Sequence, residues 1–174
     1  ARYYKGISQL QAKEYEAAII SFTEAINADA TITDAWMYRG IAYFQIGRFE
    51  DAVTSLDRHL AATPSSVEAL MYRVNALVKI TRYSEAAETF DRALSLNPLL
   101  VDAWIEKGHA LYKTGKKHEA LTAYTKALEV DGNRADGWTS KGDVLYDVGR
   151  LHDAINAYNK PQDLNPYLEH ILIR

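Results

Sequence analysis

The chain has no cysteine. That excludes disulfides, thiolate-bound metals and a cysteine nucleophile. It is compatible with a reducing compartment, so a cytoplasmic location is the expectation. Proline and glycine are few, at four and nine among 174 residues, and methionine occurs twice. Charge is also unremarkable in sign. The formal net charge is −3 and no long basic run occurs. This argues against a sequence-independent nucleic-acid binder, whose affinity rests on neutralising phosphates. No apolar stretch approaches the ~18 uninterrupted residues of a membrane span. The opening residues carry no signal-peptide pattern, and since the chain starts at Ala1 rather than Met, an earlier segment is expected. What remains is an ordinary composition, 48% apolar and 25% charged, with enough of both for a core and a solvated surface.

Repetition is what the chain does have. Val101 to Arg134 reads as two helices joined by a tight turn at Gly115. Trp104 opens the first helix, with Gly108 one turn on. Ala120, Tyr124 and Ala127 share one face of the second. A step of 34 residues from Trp104 reaches Leu70 and Trp36 backward and Trp138 forward. The units are 1–32, 33–66, 67–100, 101–134 and 135–168. Residues 169–174 would start a further helix or form a C-terminal cap.

Each recurrent slot has a physical reason. Ala18, Ala52, Ala86, Ala120 and Ala154 occupy one slot in all five units, where closely crossing helices leave no room for more. Gly6, Gly40, Gly108 and Gly142 accept the cost of a mid-helix glycine for close approach, and Val74 breaks that slot. Pro64, Pro98 and Pro166 end second helices. Gly132 replaces proline there and is expected to supply a left-handed cap. His59 stands where other units have Ala25, Ala93 and Ala127, and reads as a packed or partly exposed histidine. Pro161 holds the same slot in the fifth unit. It is expected to kink or end the last helix near Asn159.

The period and the W-x2-[L]-G-x2-Y … A-x3-F-x2-A … P pattern resemble the tetratricopeptide repeat family over essentially the whole chain. The resemblance implies an all-α, right-handed superhelical solenoid of antiparallel helix pairs, about five repeats long.

Catalytic chemistry is thin. No phosphate-binding loop, dinucleotide fingerprint, nucleophile elbow or H-E-x-x-H occurs, and His118-Glu119 is followed by Thr122 where the second His is needed. The turn Asp131 to Gly137 is loop-like but unfit for calcium, with Ala135 and Gly142 at ligand positions. The expectation is a chain with no catalytic residues, no metal site, no cofactor and no enzymatic activity of its own.

In the resembled family, first helices of successive repeats line a concave face that holds peptides or partner helices. The residues at those slots here are Tyr3, Ile7, Met37, Ile41, Phe44, Met71, Asn75 and His109, with an acidic row at Asp34, Glu68, Asp102 and Asp136. The first three repeats present apolar residues, and the last two present His109, Thr139, Asp143 and Asp147. Gathered apolar side chains mark an interaction site. Leu10, Phe44, Tyr112 and Tyr146 are balanced between groove and packing. The Lys-Asn-Arg clamp by which some relatives hold chaperone C-terminal carboxylates is missing, since only Asn75 matches and acidic residues stand at the other places.

The expectation is therefore a non-catalytic scaffold that binds a protein or peptide ligand in the concave groove, as a fragment of a longer repeat protein. A recruiting or regulatory segment of a larger enzyme is the alternative. A helical-repeat RNA binder is opposed by the acidic row, and neither nucleic acid nor membrane is an expected partner. Ile171, Leu172 and Ile173 would leave an uncovered face at the end, so self-association through the terminal repeats is a further expectation.

Overall fold

The computed structural model describes residues 1–164. The expectations placed on Pro166, Ile171, Leu172 and Ile173 lie outside them. Every element among the described residues is an α-helix: α1 Arg2–Gln11, α2 Tyr15–Ala28, α3 Thr33–Gln45, α4 Phe49–Ala62, α5 Val67–Lys79, α6 Tyr83–Leu96, α7 Val101–Lys113, α8 Lys117–Val130, α9 Ala135–Asp147 and α10 Leu151–Leu164. They pair as five antiparallel hairpins, an all-α helical-repeat fold. Two compact units result. The N-terminal unit, Ala1–Leu96, holds α1 to α6, and the C-terminal unit from Asn97 holds α7 to α10.

The turn inside each hairpin is set by one backbone conformation. Gly47, Gly115 and Gly149 have φ of +78°, +79° and +79°. The next residue then donates its N–H five residues back: Arg48 to the Tyr43 carbonyl at 2.9 Å, Lys116 to Leu111 at 3.0 Å, Arg150 to Leu145 at 2.9 Å. This satisfies a carbonyl that the helix end leaves orphaned. The first and third hairpins make the same bond, Glu14 to Gln9 at 2.8 Å and Arg82 to Leu77 at 2.9 Å. There Lys13 and Thr81 hold the left-handed slot, at φ +62° and +60°. For Thr81, β-branched, that conformation is strained.

Inside each hairpin the glycine slot receives a large side chain from the second helix. A Cβ on Gly6 would lie 2.7 Å from the Phe22 ring, and on Gly108 or Gly142 2.5 Å from the rings of Tyr124 or Tyr158. Gly40 faces Leu56 in the same way. The recurrent alanines Ala18, Ala52, Ala86, Ala120 and Ala154 are all buried beside these contacts. Core packing thus follows the repeat.

Two local expectations are corrected. α10 does not end near Asn159, one of the two outcomes expected there, but runs through Pro161 to Leu164. Pro161 lies one turn from that end, so its missing N–H removes a single bond and helix continues on either side. Gly132 is not left-handed. Asp131 leaves α8 in an extended conformation, and the turn closes through the Asn133 N–H on the Asp131 carboxylate, at 3.0 Å. The Trp138 indole donates to the Gly132 carbonyl at 2.8 Å, as Trp104 donates to Pro98 at 2.9 Å one repeat earlier.

Candidate functional site

In the N-terminal unit α1, α3 and α5 pack side by side. Their residues at the predicted groove slots do not all meet solvent. Met37 and Ile41 are each 6% exposed and belong to a core cluster with Leu56, Leu60 and Leu70. Neighbouring helices cover them, so neither presents a free apolar anchor, and this corrects the expectation for both. Met71 is half-buried against the same cluster, and Leu10 bridges it to a second cluster around Phe22 and Ile26. Tyr3 and Ile7 are half-buried on that second cluster. Asn75 is exposed.

Half-exposed aromatic rings form the accessible part of this face. Tyr3 lies 6.3 Å from Tyr38 and 5.2 Å from Tyr4, ring to ring. Phe44 meets Tyr72 edge-on at 5.7 Å and Phe49 at 5.4 Å. Tyr38 and Tyr72 precede Arg39 and Arg73 on α3 and α5, and sequence reasoning passed them over because it followed the slot before each. The exposed carboxylates of Asp34 and Glu68 stand beside the rings. Burial raises the Tyr38 hydroxyl pKa, and Glu68 and then Asp34 raise it further. Tyr3 rises through burial, then Tyr38, then Asp34. The face is aromatic, with negative charge close by.

His59 lies under the start of α3 and is 2% exposed. Its Nδ1 sits 3.0 Å from the Thr33 carbonyl and 3.8 Å from Asp34. An acceptor at that distance fixes the proton on Nδ1, and Nε2 is left buried with no partner. The residue is packed, and one of its nitrogens is uncompensated.

The predicted residues of the C-terminal unit are tied to one another. Arg134 donates to Asp102 at 2.6 Å and to Asp136 at 2.6 Å and 2.9 Å. The hydrogen bond from Arg134 holds the Asp136 carboxyl below the usual range, and both carboxylates hold the guanidinium above its own. Here the acidic row is neutralised, by a residue that no slot pattern singled out. His109 packs on Tyr124 at 5.6 Å between rings, with Nε2 3.1 Å from the Ser140 hydroxyl and Nδ1 3.6 Å from Glu106. Tyr112 donates to Asp147 at 2.5 Å, which also meets Lys117 at 3.4 Å. Tyr146 is exposed.

A second recurrent set was missed by sequence reasoning, although the period of 34 contains it. Lys5, Arg39, Arg73, Lys107 and Lys141 hold one slot, and Ser21, Ser55, Thr89, Ala123 and Ala157 hold another. The three hydroxyls are buried. Arg39 donates to Ser55 at 3.3 Å, and Arg73 donates to Thr89 and, at 2.6 Å, to Asp57. Arg39 also stacks over Trp36 at 4.5 Å, as Lys107 and Lys141 lie 5.1 Å and 5.4 Å from Trp104 and Trp138.

Among the described residues no group of three or more His, Asp or Glu side chains converges on a metal position. None of their helices is long and apolar enough to cross a membrane.

A tetratricopeptide repeat family model matches four overlapping segments, 28–67, 39–100, 71–129 and 105–168, which together span most of the chain. Among solved structures, a crystal structure of the MamA protein aligns with TM-score 0.88 at 21% identity over 97% of this chain and 92% of its own. MamA AMB-1 aligns at 0.85 and 24% identity over 99% and 96%. MamA MSR-1 aligns at 0.82 and 22% over 95% of each. These likenesses establish the fold. No curated relative matches the chain.

Proposed function

Since the chain belongs to the tetratricopeptide repeat family, we propose that it is a non-catalytic interaction module whose ligand is a basic, amphipathic peptide or helix of a partner protein. The ligand lies on the α1, α3 and α5 face of the N-terminal unit. The observation that carries this reading is the aromatic surface of Tyr3, Tyr38, Phe44 and Tyr72 beside Asp34 and Glu68. Aromatic faces attract a Lys or Arg head electrostatically, by about 0.5–1 kcal/mol at an exposed site, and nearby carboxylates add to the attraction. The half-buried Met71 and Ile7 offer apolar contact for neighbouring side chains. Met37 and Ile41 shape this surface from beneath.

The same face in the C-terminal unit is a weaker candidate. Its carboxylates at Asp102 and Asp136 already hold Arg134. Glu68, by contrast, makes no ion pair among the described residues, and Asp34 has only the long contact to His59.

The test is fluorescence anisotropy with a labelled peptide of about twelve residues in which Lys and Arg alternate with Leu and Phe. The Asp34→Lys, Glu68→Lys variant is expected to lose at least tenfold in affinity with its helical content unchanged, because both positions are exposed. A peptide with Gln in place of Lys and Arg is expected to bind as poorly. Undiminished binding by the variant would remove this face as the site.

A further inference from the structure

The C-terminal unit contains a cavity of about 540 Å³ between α8, α9 and α10. Its floor is apolar, made by Leu121, Trp138, Leu145 and Ala157. Its rim carries four basic residues, Lys126, Lys141, Arg150 and Lys160, against two acidic ones, Glu129 and Asp153. Both acids are engaged. Glu129 takes Lys126 at 2.8 Å, and Asp153 takes Arg150 at 2.6 Å and 2.7 Å.

Those pairs use Lys126 and Arg150, and of the other two cations Lys141 is the less exposed. It is half-buried above the Trp138 ring and makes no hydrogen bond or ion pair among the described residues. The equivalent cations of the N-terminal unit are not in this position. Arg39 and Arg73 end on the hydroxyls of Ser55 and Thr89, and Arg73 also on Asp57. In the fifth repeat Ala157 stands at the hydroxyl slot and offers no acceptor, and it lines the cavity together with Lys141. Burial first, and Arg150 second, weaken the hold of Lys141 on its proton, and the carboxylates of Glu129 and Asp153 offset this only in part. An ammonium so placed is stabilised by an incoming anion that brings its own apolar surroundings.

We propose that this cavity docks an acidic, apolar segment of a partner protein, with one Asp or Glu carboxylate on Lys141 and an adjacent aliphatic or aromatic side chain on Trp138, Leu121 and Leu145. The apolar floor selects a peptide over a bare anion, which would leave it uncovered. The Lys141 ammonium selects against a basic segment. The site lies in other repeats from the aromatic face described above, takes a ligand of opposite charge, and does not rest on that reading.

The experiment uses the full chain and a fluorescein-labelled peptide of about ten residues with Glu interleaved with Leu and Phe. Binding at least tenfold tighter than that of the Gln analogue is expected. Lys141→Met should weaken it about tenfold, and Lys141→Arg should retain it. Equal affinity of Lys141→Met and the parent chain, or of the Glu and Gln peptides, overturns the assignment. Displacement of the peptide by equimolar inorganic phosphate or by oligouridylate overturns it too, since either would mark a general anion or nucleic-acid site. If Lys141→Met does not fold, the ¹³C-methylated Lys141 resonance of the parent chain, assigned by its loss in Lys141→Arg, decides the matter. It moves on adding the Glu peptide if the proposal holds, and an unmoved signal overturns it.

Discussion

The third and fifth repeats follow one pattern, yet their second helices meet their neighbours differently. In the third, Arg73 reaches the buried Thr89 hydroxyl and the Asp57 carboxylate. In the fifth, Ala157 holds the hydroxyl slot, and it lines a cavity of about 540 Å³ together with Lys141. Removing one hydroxyl and replacing a guanidinium by an ammonium turns a closed, hydrogen-bonded contact into an open one. A repeat slot specifies where a side chain points. Whether that position is structural or available for binding depends on the group opposite, contributed here by a different helix. The lesson extends to the first helices. Met37 and Thr139 occupy the same slot three repeats apart, and one is buried while the other is exposed.

That last pair provides the largest expected effect. Met37→Asp places a carboxylate in the core with no partner and should destabilise the chain by at least about 3 kcal/mol. Thr139→Asp should change stability by less than about 0.5 kcal/mol, as exposed substitutions usually do. Chemical denaturation of both variants checks this. Equal loss would mean that the slot rather than its covering decides, and the comparison would fail.

The hydroxyl slot gives the next effect. Thr89→Ala deprives the Arg73 guanidinium of a buried acceptor and should cost about 1.5–3 kcal/mol, the range for hydrogen bonds to charged groups. Ala157→Ser, the reverse exchange in the fifth repeat, should be neutral or stabilising by a few tenths of a kcal/mol, because the cavity has room for the added oxygen. Thermal melts of the two variants measure the difference. A destabilising Ala157→Ser would show that the two contacts are not counterparts.

The smallest effect concerns the turns. Thr81→Gly should stabilise the chain by about 1 kcal/mol through relief of a left-handed β-branched residue. Gly115→Ala, at φ +79°, should destabilise it by a similar amount although nothing lies near the added Cβ. Opposite shifts in the denaturation midpoint, with unchanged slope, are the expected signature. Shifts of the same sign would locate the cost in packing instead.

Much of the fold could be read in advance because its causes are local or strictly periodic. The alanine slot at Ala18, Ala52, Ala86, Ala120 and Ala154 recurs because each hairpin crosses in the same way. Tyr124 over Gly108 repeats Phe22 over Gly6 for the same reason. Where reading failed, the cause was a competing local partner. Pro161 was expected to kink or end a helix that runs on to Leu164. Gly132 was expected to be left-handed, but Asp131 and Trp138 close that turn. The candidate face was less legible than the fold. Arg134 neutralises Asp102 and Asp136 from a turn, where no helical period could place it.

The sequence by itself determined the helical state, the five hairpins, the positions of their turns and the residues sharing each helix face, since all of these follow from backbone geometry and a period of 3.6 within a period of 34. Only the tertiary structure decided which residues of a face are covered and which charges are already spent. It put Met37 and Ile41 under neighbouring helices and left Tyr38 and Tyr72 partly open. It also left Lys141 beside an apolar cavity floor, with the neighbouring carboxylates of Glu129 and Asp153 held by Lys126 and Arg150. The physical reason is that burial and electrostatic pairing belong to groups brought together from different helices, and no helical period encodes the group on the other side.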